Sequence, residues 1–213
     1  HKRYYLYWGD VGPDAGKDSL RGPRGYDEIN QTNKAGFYGW PYLVADNQPY
    51  RDYNYETQES GKLFDPSGPI NNSPNNTGIQ QLPPSTPAIL WYPYDNTFEF
   101  PYMGNGGMNI MAGPLYRFNA FPDNDNKLPE YYDGKLFIYD WVRNWIRAVT
   151  LDENFQVIAV EPFLEVMTFA KPIDMKIRMT SIKPFLGMIL VCFVCLLPAS
   201  KAFAQEPETP PVP

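Results

Sequence analysis

Up to residue 178 the sequence never sustains an apolar repeat of 3.6 residues, so no long amphipathic helix can be written for that stretch. It offers short aromatic and β-branched runs, each broken by turn formers. The 213 residues hold 16 Tyr, 13 Phe and 5 Trp against 23 Pro and 16 Gly. Aromatic and branched side chains pack well on a pleated surface, while proline and glycine end strands and shape turns. An all-β fold of many short strands joined by irregular loops is the expectation.

The clearest strand pair is residues 135–141 with residues 144–153, turning near Val142 and Arg143. In its second arm Ile146, Ala148 and Thr150 alternate with Arg147, Val149 and Leu151, which is the period of a strand. Residues 155–165 read as a further strand, and residues 167–176 as the start of another. Residues 88–94 and 115–118 are shorter candidates, with the glycine-rich residues 104–114 taken as the loop between them. Residues 56–87, rich in Asn, Pro, Ser, Gln and Gly, hold too little apolar area to offset ordering and are expected to form a long loop.

The formal charge of −6 and a pI near 4.8 come with no basic stripe. Nucleic-acid partners are therefore not expected, because phosphate binding draws on clustered Lys and Arg. Both cysteines, Cys192 and Cys195, lie in one apolar run with no second pair, so the CxxC spacing does not read as a metal or redox site.

Residues 4–41 carry the chemistry. An aromatic run, residues 4–8, leads into a glycine- and charge-rich excursion, residues 9–25. Asp27, Glu28 and Asn30 follow, then the glycine-punctuated turn Gly36, Gly39, Trp40 and Pro41. A loop this long in a compact domain is uncommon unless it serves a site or is disordered. Gly12 allows close backbone approach and Pro13 leaves a carbonyl free. Asp27 and Glu28 supply hard anionic oxygens, a donor set that suits calcium better than zinc. The competing reading makes the two acids solvated turn residues, or partners of Arg21 and Arg24.

Gly12-Pro13, Asp27-Glu28-Ile29-Asn30 and Gly36-Phe37-Tyr38-Gly39-Trp40-Pro41 occur in one order. That series resembles the signature of the soluble quinoprotein glucose and sorbosone dehydrogenase family, six-bladed β-propellers that oxidise sugars with pyrroloquinoline quinone (PQQ) and calcium. The block at residues 134–152 is a second point of resemblance. The likeness implies that residues 1–176 are about three blades of a partial propeller. It implies a calcium site at Gly12, Pro13, Asp27 and Glu28, and quinone contacts at Asn109, Arg143 and Lys171. Arg143 would stand beside the position where PQQ-using members carry a lysine; the competing reading pairs it with Asp140. Lys171 matches one of two family arginines, the other being replaced by Ile173. The catalytic base, a histidine in an earlier blade, has no counterpart here.

Function then divides three ways: a PQQ- and calcium-dependent sugar or polyol dehydrogenase passing electrons to an acceptor, a carbohydrate- or protein-binding propeller without catalysis, or a calcium-dependent propeller hydrolase. In the second, Tyr38, Trp40, Tyr42, Trp91 and Tyr92 would stack on sugar faces. Residues 177–213 break the pattern. Lys183, the apolar run 185–197 and Ala202-Phe203-Ala204 have the parts of a secretory signal peptide, expected to begin a different exported protein. The run is short of the roughly 20 residues of a bilayer span, so membrane association follows only if residues 185–197 act as an anchor. The expected compartment is periplasmic or extracellular.

Overall fold

The computed structural model describes residues 4–164. Eleven strands and three single 3₁₀ turns make up the regular structure of these residues, so the all-β expectation holds. Lys171, the strand expected at residues 167–176 and the signal-peptide-like segment lie outside the described residues. Residues 119–128 group apart from the remainder of the described chain; within that group Lys127 Nζ pairs with Asp123 Oδ1 at 2.7 Å.

In the larger body, β1 (Leu6–Asp10) and β2 (Asp27–Thr32) form an antiparallel pair with Trp8 opposite Asn30 and Asp10 opposite Glu28. Short hairpins follow: β3 (Leu43–Val44) with β4 (Gln48–Pro49), and β5 (Arg51–Asn54) with β6 (Glu59–Leu63). The strand β7 (Leu90–Tyr92) returns to β2, placing Tyr92 opposite Asp27 and giving a three-stranded sheet in the order β1-β2-β7. A four-stranded antiparallel sheet then runs in chain order, β8 (Ile110–Leu115), β9 (Leu136–Asp140), β10 (Trp145–Leu151) and β11 (Val157–Leu164). No closed ring forms among the described residues.

The hairpin expected around Val142 and Arg143 is β9–β10, and β11 occupies the next expected strand. Three expectations need correction, the first being the strand at residues 115–118: only Leu115 is in a strand, and Phe118 opens a 3₁₀ turn. The loop assigned to residues 104–114 contains β8, because Ile110 is fully buried and the strand borders β9 despite Gly113 and Pro114. The aromatic strand expected at residues 4–8 sits two residues later, so Gly9 and Asp10 belong to β1. Residues 56–87 are mostly irregular as expected, apart from β6.

The core is shared by both sheets: Ile29, Leu90 and Tyr92 from the first meet Ile110, Leu136, Ile138, Trp145 and Val149 from the second. Close approach requires glycine at one point. A Cβ built on Gly9 would stand 2.5 Å from the Ile110 carbonyl oxygen, a distance that backbone atoms cannot yield cheaply. Gly9→Ala is expected to lower stability by about 1–3 kcal/mol, the usual cost of overpacking, read from the shift of a urea midpoint at unchanged slope.

Candidate functional site

Neighbouring residues on a strand point to opposite faces, and this rule divides the acidic pair. Asp27 faces the core beside Ile29, Leu90 and Tyr92. It is fully buried, and each carboxylate oxygen accepts one backbone N–H: Gly12 N to Oδ1 at 3.1 Å and Ile110 N to Oδ2 at 2.8 Å. Burial pushes its carboxyl up to about 6, against the pull of those two hydrogen bonds. Gly12 has no room for a side chain, since a Cβ there would stand 2.1 Å from the Tyr26 carbonyl oxygen.

Glu28 faces the other way, under the β3–β4 hairpin. Ala45 N donates to its Oε2 at 2.6 Å and Asn30 Nδ2 to its Oε1 at 2.9 Å. The same Asn30 nitrogen donates to Asp10 Oδ2 at 3.1 Å, and the Trp8 indole N–H also reaches that oxygen, at 3.0 Å. Glu28 is 4% exposed. Burial, with Asp10 as a repelling neighbour, lifts its carboxyl to about 7 against the hydrogen bonds from Asn30 and Ala45. A cavity of about 120 Å³ lies here, lined by Asp10, Gly12, Tyr26, Glu28 and Trp40 among others. Trp40 is joined to Pro41 by a cis peptide bond.

The second cluster centres on Asp140, buried at the end of β9. It accepts from the Tyr92 hydroxyl at 2.6 Å, from Asn109 N at 3.1 Å and from Arg143 N at 2.7 Å. The Arg143 guanidinium lies 4.7 Å from the Tyr92 ring centre. Its nitrogens donate to the carbonyls of Pro93, Met103, Gly104, Gly106 and Gly107 at 2.8–2.9 Å. So Arg143 does meet Asp140, but through its backbone; the charged end gathers an irregular loop.

These contacts bear directly on the expected calcium and quinone sites. Gly12 presents its N–H, not its carbonyl, toward Asp27. The Pro13 carbonyl accepts Ala15 N at 2.7 Å, so it is not the free oxygen anticipated. Asp27 and Glu28 diverge across the sheet, and among the described residues no group of three or more His, Cys, Asp or Glu side chains is placed to hold a metal ion. The four residues therefore do not fit a shared calcium cradle. Arg143 is committed to backbone carbonyls, so its guanidinium does not fit a quinone-carboxylate clamp, and the Asn109 backbone is bound to Asp140 and Trp141. Sequence reasoning missed Asp10 and the bridging amide of Asn30, and it named Tyr92 only as a stacking ring and Asp140 only as a partner of Arg143; the signal for Asp10 was its place opposite Glu28 once β1 is extended by two residues.

A larger concavity opens beside β1. Tyr4, Tyr5, Leu6, Trp8, Thr32, Asn33, Lys34 and Tyr38 are among the residues that line an open groove of about 640 Å³. Trp8 meets Tyr38 edge-on at 4.8 Å, and the Tyr38 hydroxyl bonds to Thr32 Oγ1 and to the Lys34 carbonyl. Of the five aromatics expected to stack on sugars, Tyr38 lines this groove and Trp40 is exposed. Tyr92 is fully buried, Tyr42 packs on Phe64 and Trp91 on Phe100.

Two outcomes follow from these clusters. Arg143→Ala removes a donor from five carbonyls at once, of which Met103 O keeps the Trp145 indole N–H, and is expected to cost about 1–3 kcal/mol, with Arg143→Lys a poor substitute because an ammonium lacks the planar fork; chemical denaturation measures both. Glu28 holds its proton more tightly folded than unfolded, so its contribution to stability declines as pH rises from about 4.5 to about 7, by at most about 1.4 kcal/mol per pH unit. Glu28→Gln should flatten that decline in denaturation curves recorded from pH 4 to 8. No protein-family model, curated protein or solved structure matches this chain.

Proposed function

We propose that the chain is part of a sugar-handling β-propeller of the type its opening motif resembles, and that residues 4–38 contribute saccharide recognition. The plan of β8 to β11, four antiparallel strands in chain order, is that of one propeller blade, and β1-β2-β7 would be the neighbouring blade. The observation that carries the reading is the groove beside β1. Its aromatic walls suit the C–H faces of a sugar ring, while Asn33, Lys34 and Thr32 suit its hydroxyls. Its volume lies within the roughly 300–1,000 Å³ of small-molecule sites.

A second reading, oxidation of a sugar or polyol hydroxyl by a PQQ- and calcium-dependent dehydrogenase, draws on the opening motif and on Glu28, a carboxyl poised near neutrality beside a cavity. In that case residues other than 4–164 supply the base and the quinone clamp. Saccharide titration followed by ligand-observed NMR tests the first reading. Tyr38→Ala is expected to weaken binding up to about tenfold, roughly 1 kcal/mol of ring contact, and Tyr38→Phe to retain it. No binding by any aldose or oligosaccharide defeats recognition at this groove. Dye reduction on adding PQQ, Ca²⁺ and an aldose would instead favour oxidation.

A further inference from the structure

The groove beside β1 holds a cation and no acid. Of the described residues that line it, Lys34 alone carries a charge, and Lys34 is in no ion pair among the described residues. Its backbone is nevertheless fixed. Lys34 N donates to Thr32 Oγ1 at 3.0 Å, and the Lys34 carbonyl accepts from the Tyr38 hydroxyl at 2.9 Å. Thr32 Oγ1 bonds to that same carbonyl and that same hydroxyl, so the two hydroxyls of this wall are spent on the turn. The Lys34 ammonium and the Asn33 amide make no hydrogen bond among the described residues. Asp10, which the Trp8 indole N–H reaches, lines the other cavity and not this groove.

From this we infer that the groove selects a saccharide carrying one anionic group, a uronate carboxylate or a sugar phosphate, with Lys34 as the selecting residue; the selectivity presupposes the saccharide binding proposed above. Ring contact and hydroxyl partners would suffice for a neutral sugar, and an unmatched ammonium adds a preference that they lack. Apolar walls lower the local dielectric, which strengthens the pull on an anion held at contact. The net charge of −6 opposes any anion, but exposed charges more than about 8 Å away are largely screened at physiological salt. Contact therefore outweighs the distant field. In a hexuronate or a 6-phosphate the charge hangs outside the ring, so a C–H face can lie on Trp8 or Tyr38 while the anion extends past the ring edge. Lysine, a compact charge on a flexible stem, meets either anion as a point charge.

Methyl β-glucoside and methyl β-glucuronide differ only in a hydroxymethyl group against a carboxylate, so titrating the full chain with both by ligand-observed NMR isolates the charge. At low salt the glucuronide is expected to bind roughly three- to fivefold tighter, the upper range of an exposed ion pair, and about 0.5 M NaCl should erase that margin by screening. Lys34→Gln should bring the two ligands to equal affinity, and Lys34→Arg should keep them apart. The lysine side chain makes no bond within the turn, so both variants are expected to fold. Methyl β-glucoside 6-phosphate separates the two anionic sources: tighter binding than the glucuronide points to phosphate, weaker binding to carboxylate, and either supports the inference. Equal affinity for all three ligands overturns the anionic preference while leaving saccharide recognition standing; binding of none defeats both. A margin that survives Lys34→Gln overturns it as well, because the anion is then held elsewhere. Inorganic phosphate bound as tightly as the phosphorylated sugar does the same, since the ring then contributes nothing.

Discussion

The buried carboxylate of Asp27, with the Tyr92–Asp140 bond beside it, ties the two sheets together. Asp27 takes one N–H from the loop that leaves β1 and another from the first residue of β8, 83 positions further on. Each bond is made in a site closed to water, where an unmet N–H is expensive and a charge-assisted bond is stronger than a neutral one. The loop after β1, the centre of the first sheet and the inner edge of the second are thereby fixed to one side chain. Gly9 sits against the same Ile110, so the backbones can come close enough for that carboxylate to reach.

This latch explains why the acidic pair reads so easily as one metal site although its two carboxylates part across the sheet. In sequence, two adjacent carboxylates after a Gly-Pro turn present four oxygens. In a strand they present two to each side. Asp27 then fastens sheet to sheet, while Glu28 joins Asp10 and Asn30 beneath the β3–β4 hairpin. Spacing alone cannot distinguish a turn, where neighbours converge, from a strand, where they part; the register Asp10↔Glu28 decides it.

Fold class was legible in the sequence because composition and the missing helical period agree along residues 4–164: no helical repeat, many ring side chains, frequent breakers. The β9–β10 hairpin was legible because the alternation of its second arm is regular. β8 was not, since glycine and proline inside Ile110–Leu115 mimic a loop while the burial that makes it a strand comes from partners far along the chain. The role of Arg143 was hidden for a similar reason. Its contacts are backbone carbonyls 36 to 50 residues away, and carbonyls have no residue signature. The groove beside β1 was half visible: the aromatics were noted, but which remained open and which were enclosed depended on packing that only coordinates reveal.

The segment from Pro93 to Gly107 is gathered mainly by that same arginine, with Trp145 Nε1 at the Met103 carbonyl and Arg147 Nε at the Tyr102 carbonyl. A strand records its conformation redundantly, in many propensities and many ladder bonds, and so erodes gradually under mutation. Here several turns of irregular chain converge on one planar cation. Inheritance of that geometry leans heavily on a single codon, and a lineage that changed it would lose much of the contour in one step instead of drifting away from it.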